Sequence, residues 1–190
     1  MAKVLLVRHS PPLIEANHCY GQLDVVAEPV QLQACIERLS IKLTPYKPFT
    51  VLSSPLKRCS QLAEGLVDQV TFNGALKELD FGAWEGRSWN DVPQQALQAW
   101  ADNLLDYRLG EFGETVNEFN QRVSRFWQLC QNLPLDSCLV CVTHAGVIRT
   151  IIGLVENLDI EQVMSLPINM GSVTCLKIQS SGVKIEYQNC

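Results

Sequence analysis

The chain has 190 residues, of which 47% are hydrophobic and 18% charged, and a formal net charge of −5. That length supports one domain with a substantial core, and the acidic balance argues against a general affinity for nucleic acid or anionic membranes without excluding a small positive pocket. The N-terminal apolar run, Val4 to Val7, is too short for a signal peptide and no stretch approaches the roughly 18 apolar residues of a membrane span, so the expectation is a cytoplasmic protein whose eight cysteines are reduced thiols.

The first strand is expected in KVLLV, a near-continuous apolar run of the kind buried on both faces of a parallel sheet; it ends abruptly on Arg8-His9. In EPVQLQACIERLSIKL, Leu32, Cys35, Ile36, Leu39 and Leu43 recur at helical spacing and give one apolar face. FTVLSS is a second strand and leads into SSPLKRC, where Ser54 is placed to cap a helix with Pro55 in its first position. Arg58 then lies near the first turn, where free N–H groups and the helix dipole favour an anion. QQALQAW is a further helical pattern, and Trp100 at its end is expected in the core. TVNEFNQRVSRFWQLC carries an apolar stripe from Val116 to Cys130, with Thr115 and Glu118 forming a capping box.

CLVCV is a third strand. Its alternation puts Cys138 and Cys141 on opposite faces, so this lone CxxC pair reads as core. It runs into Thr143-His144-Ala145-Gly146 and then a helix, AGVIRTIIGLVEN. The tail reads as two strands joined by a Ser-Ser-Gly turn. Strands alternating with helices predict an α/β fold of three layers around a mixed, mostly parallel sheet, in one domain over residues 1–190.

In open α/β sheets ligands bind beyond the carboxyl ends of the strands. Three such ends deliver Arg8, His9, Arg58 and His144 to one rim, and a tetrahedral phosphate is the natural ligand for that cluster: arginine presents a planar fork to two oxygens, and histidine is a donor or a nucleophile. The bland alternative pairs each group with a surface carboxylate. Ser10 beside His9 invites a serine-hydrolase reading. Strand neighbours point to opposite faces, however, and no GxSxG elbow exists.

LVRHS, SSPLKRCSQLAE, LKELDFGAWEGRSW and VTHAGVIR resemble, in order, the motifs of the histidine phosphatase superfamily, the phosphoglycerate-mutase-like fold. CYGQLDV, LKELDFGAWEGRSW and the GET of Gly113 to Thr115 bring the chain closest to the α-ribazole phosphatases of cobalamin nucleotide-loop assembly. The resemblance implies hydrolysis of α-ribazole phosphate, or of the phosphorylated cobalamin precursor, through a phosphohistidine. It assigns His9 as nucleophile, Arg8, Arg58 and His144 as ligands of the equatorial oxygens, and Glu78 as acid and base. Gln22, Ser10, Ala145 and Trp84 fall on the substrate side. Ser10 and Pro11-Pro12 depart from the usual Gly or Thr and Glu-Thr of the family, which bears on substrate contacts in that loop. No metal or cofactor is expected, since His18-Cys19 lacks ligand spacing. The expected partner is a small-molecule phosphate ester, with a homodimer left open. The competing readings are a phosphatase of this fold acting on another small ester and a phospho-ligand binding module without catalysis.

Overall fold

The computed structural model describes residues 1–190. One six-stranded sheet runs in the order β3-β2-β4-β1-β5-β6, built from β1 (Ala2–Arg8), β2 (Thr50–Ser53), β3 (Thr71–Phe72), β4 (Cys138–Thr143), β5 (Val173–Gln179) and β6 (Gly182–Tyr187). β3, β2, β4 and β1 pair in parallel; β5 and β6 join antiparallel, as the expected tail hairpin.

The strands are apolar throughout because helices cover both faces. On β1, Val4 and Leu6 belong to one core and Leu5 and Val7 to the other; β4 divides Leu139 and Cys141 from Val140 and Val142 in the same way. The first core is closed by α4 (Val116–Cys130) and α5 (Ala145–Glu156), through residues such as Phe119, Trp127, Ile148 and Ile151. The second is closed by α1 (Pro29–Leu43) and α2 (Lys57–Leu66), through Leu39, Leu43, Cys59 and Leu62. The structure thus has the three layers and mixed sheet read from the periodicity. No helix is long and apolar enough to cross a membrane, and all eight cysteines are free.

α4 starts with the Thr115–Glu118 capping box as expected. The α2 start differs. The helix begins at Lys57 with Leu56 as N-cap and no side-chain cap. Ser54 and Pro55 both lie upstream of that cap, outside the helix; Ser54 Oγ accepts from Leu56 N at 3.4 Å in the turn before it and also lies 2.9 Å from His144 Nε2.

Beyond the strand ends, a third and smaller cluster (Cys19, Trp84, Val92, Leu109) ties the loops after β1 and β3 to α3 (Gln94–Asp102). Gly82 makes the sharp turn of this cap. Its φ is +57°, and a Cβ there would meet Gly110 O at 2.6 Å. α6 (Ile160–Ser165) closes the far side.

Candidate active site

Register explains how two histidines 135 positions apart in the sequence come together. β1 and β4 are parallel neighbours, with Arg8 opposite Thr143, so the next residue of each strand emerges at the same level: His9 N–H donates to Thr143 O at 2.9 Å. After β1 the chain passes to the α1 side of the sheet and after β4 to the α5 side, so the crevice between them is the topological switch point where such folds take ligands. The imidazole centroids of His9 and His144 are 5.1 Å apart.

His9 is buried, and its Nδ1 lies 2.7 Å from Ser10 O. A carbonyl only accepts, so Nδ1 carries the proton and Nε2 keeps its lone pair. Burial lowers the His9 pKa well below the usual histidine value, aided by the charges of Arg58 and then Arg8. The Arg8 effect is the smallest of the three.

His144 is equally buried and held at both nitrogens. Nδ1 accepts from Arg58 Nη2 at 3.2 Å, which makes Nε2 the donor to Ser54 Oγ at 2.9 Å. Cys59 Sγ packs 3.4 Å from Nε2. Burial, His9 and Arg58 lower the His144 pKa well below its ordinary value.

Arg58 is fully buried and donates to Leu23 O (2.9 Å) and Gly21 O (2.6 Å), with Tyr20 5.0 Å from its guanidinium carbon. Arg8 donates to Ile168 O. Neither forms an ion pair with a carboxylate, which overturns the bland alternative. Arg8 Nε, Arg58 Nε and Ser10 Oγ are buried without a protein partner, the condition an oxyanion would relieve.

Glu78 reaches the same rim. Its Oε2 accepts from Gly146 N at 3.1 Å, at the start of α5, and Oε1 from its own neighbour Leu79 N at 3.0 Å. This approach requires glycine at 146, because a Cβ there would collide with Oε1. Arg122 of α4 gathers the Glu78 loop, donating to Ala75 O, Lys77 O and Glu78 O while its Nε and Nη2 donate to the two carboxylate oxygens of Glu114 (2.9 and 2.7 Å). Gln22 Nε2 donates to Glu78 O at 3.0 Å, so its amide holds the backbone of Glu78. Glu85, its pKa raised by burial, accepts from Gln22 N and Phe81 N.

A cavity of about 360 Å³ opens beside Arg8, Glu78 and Ala145, walled by Tyr20, Phe81, Trp89, Trp100 and Phe119. Trp84 corrects the expectation: it is 5% exposed, stacks on Tyr107 and does not line the cavity. Trp100, expected in the core, does line it. Ala145 and His18 are also in the wall.

The two buried neutral histidines set a pH dependence. The unfolded chain takes up a proton at each as pH falls through about 6.5, while the native state resists until its lower values are reached. Stability is therefore full above that pH and declines below it, by at most about 1.4 kcal/mol per pH unit for each histidine. Denaturant unfolding of the wild type and His9→Gln between pH 7.5 and 5.5 checks this: the variant is expected to show about half the acid-side slope.

The histidine phosphatase superfamily (branch 1) model matches residues 4–190. The fold is similar to the crystal structure of the alpha-ribazole phosphatase from Shigella flexneri, with a TM-score of 0.86 at 21% identity over 99% of this chain and 96% of that one. It is also similar to a mutant phosphoserine phosphatase from Entamoeba histolytica in complex with phosphoserine, with a TM-score of 0.85 at 17% identity over 100% and 97%. A curated relative, "Probable phosphoglycerate mutase GpmB" of Erwinia tasmaniensis, is 29% identical over 84% of this chain and 79% of its own length. With its motifs in order and their residues gathered at one switch point, the chain belongs to branch 1 of the histidine phosphatase superfamily and is a phosphoric monoester hydrolase.

Proposed function

We propose that the chain hydrolyses small phosphate esters through a phosphohistidine on His9, without a metal, and that α-ribazole phosphate is its substrate. The observation that carries the covalent route is the His9 Nδ1–Ser10 O bond, which aims proton and lone pair at opposite ends of the ring. Nε2 attacks phosphorus, and the P–O bond to the leaving group breaks as Glu78 gives its proton to the departing alkoxide. Glu78 then takes a proton from water, whose oxygen attacks phosphorus and breaks the P–N bond, returning His9 neutral. Arg8 and Arg58 stabilise the equatorial oxygens. His144 stays neutral and joins them through its Nε2–H, which turns from Ser54 Oγ to an equatorial oxygen.

A binding module gains nothing from a carboxylate at an anion site, so Glu78 favours catalysis over binding alone. The aromatic wall favours a flat apolar leaving group such as the benzimidazole riboside. The fold similarity to an alpha-ribazole phosphatase supports the same choice, and the similarity to a phosphoserine phosphatase and to a probable phosphoglycerate mutase keeps a different small ester as the second reading.

The test is a turnover panel of α-ribazole phosphate, phosphoserine, phosphoglycerates and sugar phosphates in buffer containing a chelator. The highest kcat/KM is expected for α-ribazole phosphate. A better ester would displace that substrate, and a rate restored only by added metal would overturn the metal-free route.

A further inference from the structure

The α5 wall of the cavity carries a cation that the chemistry above does not use. Ala145, Gly146, Arg149 and Thr150 all line the cavity, the stripe of one helical face. Gly146 holds Glu78, so Arg149 stands one turn, about 5 Å, farther out along α5.

Arg149 Nε donates to Leu166 O at 2.8 Å, which fixes the guanidinium plane. Its two terminal nitrogens make no protein hydrogen bond, and it has no ion pair. Opposite, on α4, Asn120 Oδ1 accepts from Thr150 Oγ1 at 3.1 Å, leaving the Asn120 amide donors without a protein partner. The corner is therefore richer in free N–H donors than in acceptors, with the Thr150 hydroxyl oxygen the neutral acceptor beside them, amid Val116, Phe119, Val163 and Met164. A half-buried cation in apolar surroundings is costly unless an anion meets it. Burial and the like charge of Arg8 already hold the Arg149 pKa below the ordinary arginine value. Glu78 compensates only in part, since its oxygens are engaged by two backbone N–H groups.

We propose that Arg149 and Asn120 form a second anion subsite, reading a carboxylate on the leaving group about one helical turn from the phosphorus. A carboxylate matches the arginine fork with two charged oxygens, whereas a hydroxyl offers one neutral and weaker acceptor. The subsite extends the substrate range to carboxylate-bearing phosphate esters and rests on the phosphatase reading of the adjoining site. A merely structural Arg149 would hold Leu166, at the end of α6, and nothing more.

The experiment compares kcat/KM for 3-phosphoglycerate and glycerol 3-phosphate, which differ by carboxylate against hydroxymethyl. The wild type is expected to favour the carboxylate by at least about tenfold. Arg149→Met brings the ratio near one, Arg149→Lys keeps part of it, and Asn120→Leu lowers it by less. A wild-type ratio near one, or a ratio unmoved in Arg149→Met, overturns the subsite. Should Arg149→Met fail to fold, Asn120→Leu decides by the same ratio. If neither ester nor p-nitrophenyl phosphate is hydrolysed, the phosphatase reading fails instead, and the ratio of the two dissociation constants tests the subsite.

Discussion

His9→Ala is expected to lower turnover of an alkyl phosphate by more than about 10⁴-fold and to abolish any acid-labile phosphoenzyme trapped by quenching with labelled substrate. The size of the effect follows from the reaction. Phosphate monoesters hydrolyse so slowly that enzymes supply acceleration of up to about 10²¹-fold, and general acid catalysis accounts for only about 10²–10⁴ of it. Attack at phosphorus by a group fixed in place must carry much of the rest. His9 is that group because the fold keeps it neutral and aims it: burial depresses its pKa, and the Ser10 carbonyl fixes the tautomer. No neighbour replaces it. His144 has both nitrogens committed to Arg58 and Ser54, and Cys59 is buried with its thiol pushed far up. Rapid-quench measurement of phosphoenzyme in the wild type and the variant, with the wild-type fold verified by circular dichroism, decides the point. A variant with more than about 1% of wild-type turnover would remove the covalent route, because in-line attack by water forfeits the relay.

The pieces legible in the sequence are those specified locally. The uninterrupted apolar runs of β1 and β4 follow from burial on both faces, the Thr115–Glu118 box sets the start of α4, and the Ser-Ser-Gly turn sets the tail hairpin. Short pieces such as β3 and α6 carry too few residues for a period to register. Ser54 reads as a cap because Ser-Ser-Pro precedes a helix, yet its hydroxyl holds His144, a contact created by the register of β2 on β4. The same limit applies to Arg122. Its role as a clamp on Ala75, Lys77 and Glu78 depends on α4 lying under that loop, and the only trace in the sequence is the GET motif whose Glu114 pairs with it. Which tryptophans line the cavity is likewise set by tertiary placement and not by their local sequence. The turn at Gly82 places Trp84 in the small cluster and leaves Trp89 and Trp100 for the cavity.

Glu78→Gln is expected to reduce kcat on an alkyl ester by about 10²–10³-fold while costing p-nitrophenyl phosphate much less. The glutamine keeps the size of the side chain and an oxygen to accept from Gly146 N, so the loop held by Arg122 and Gln22 stays in place. What it loses is the transferable proton. An alkoxide leaves badly unless protonated as the P–O bond breaks, whereas p-nitrophenolate leaves as the anion, so only the first substrate needs the acid. The second half-reaction does not depend on the leaving group, and removing the base from it sets a common floor for both esters. The alkyl-to-aryl ratio in single-turnover measurements isolates the acid from that floor. Gly146→Ala serves as a geometric counterpart: the carboxylate remains, but the added Cβ collides with Oε1 and displaces it, so this variant should shift the ratio in the same direction with Glu78 still present. Equal single-turnover losses on both esters in Glu78→Gln would assign the proton transfer to another group. An unchanged ratio in Gly146→Ala would mean that the contact with α5 does not set the position of the acid.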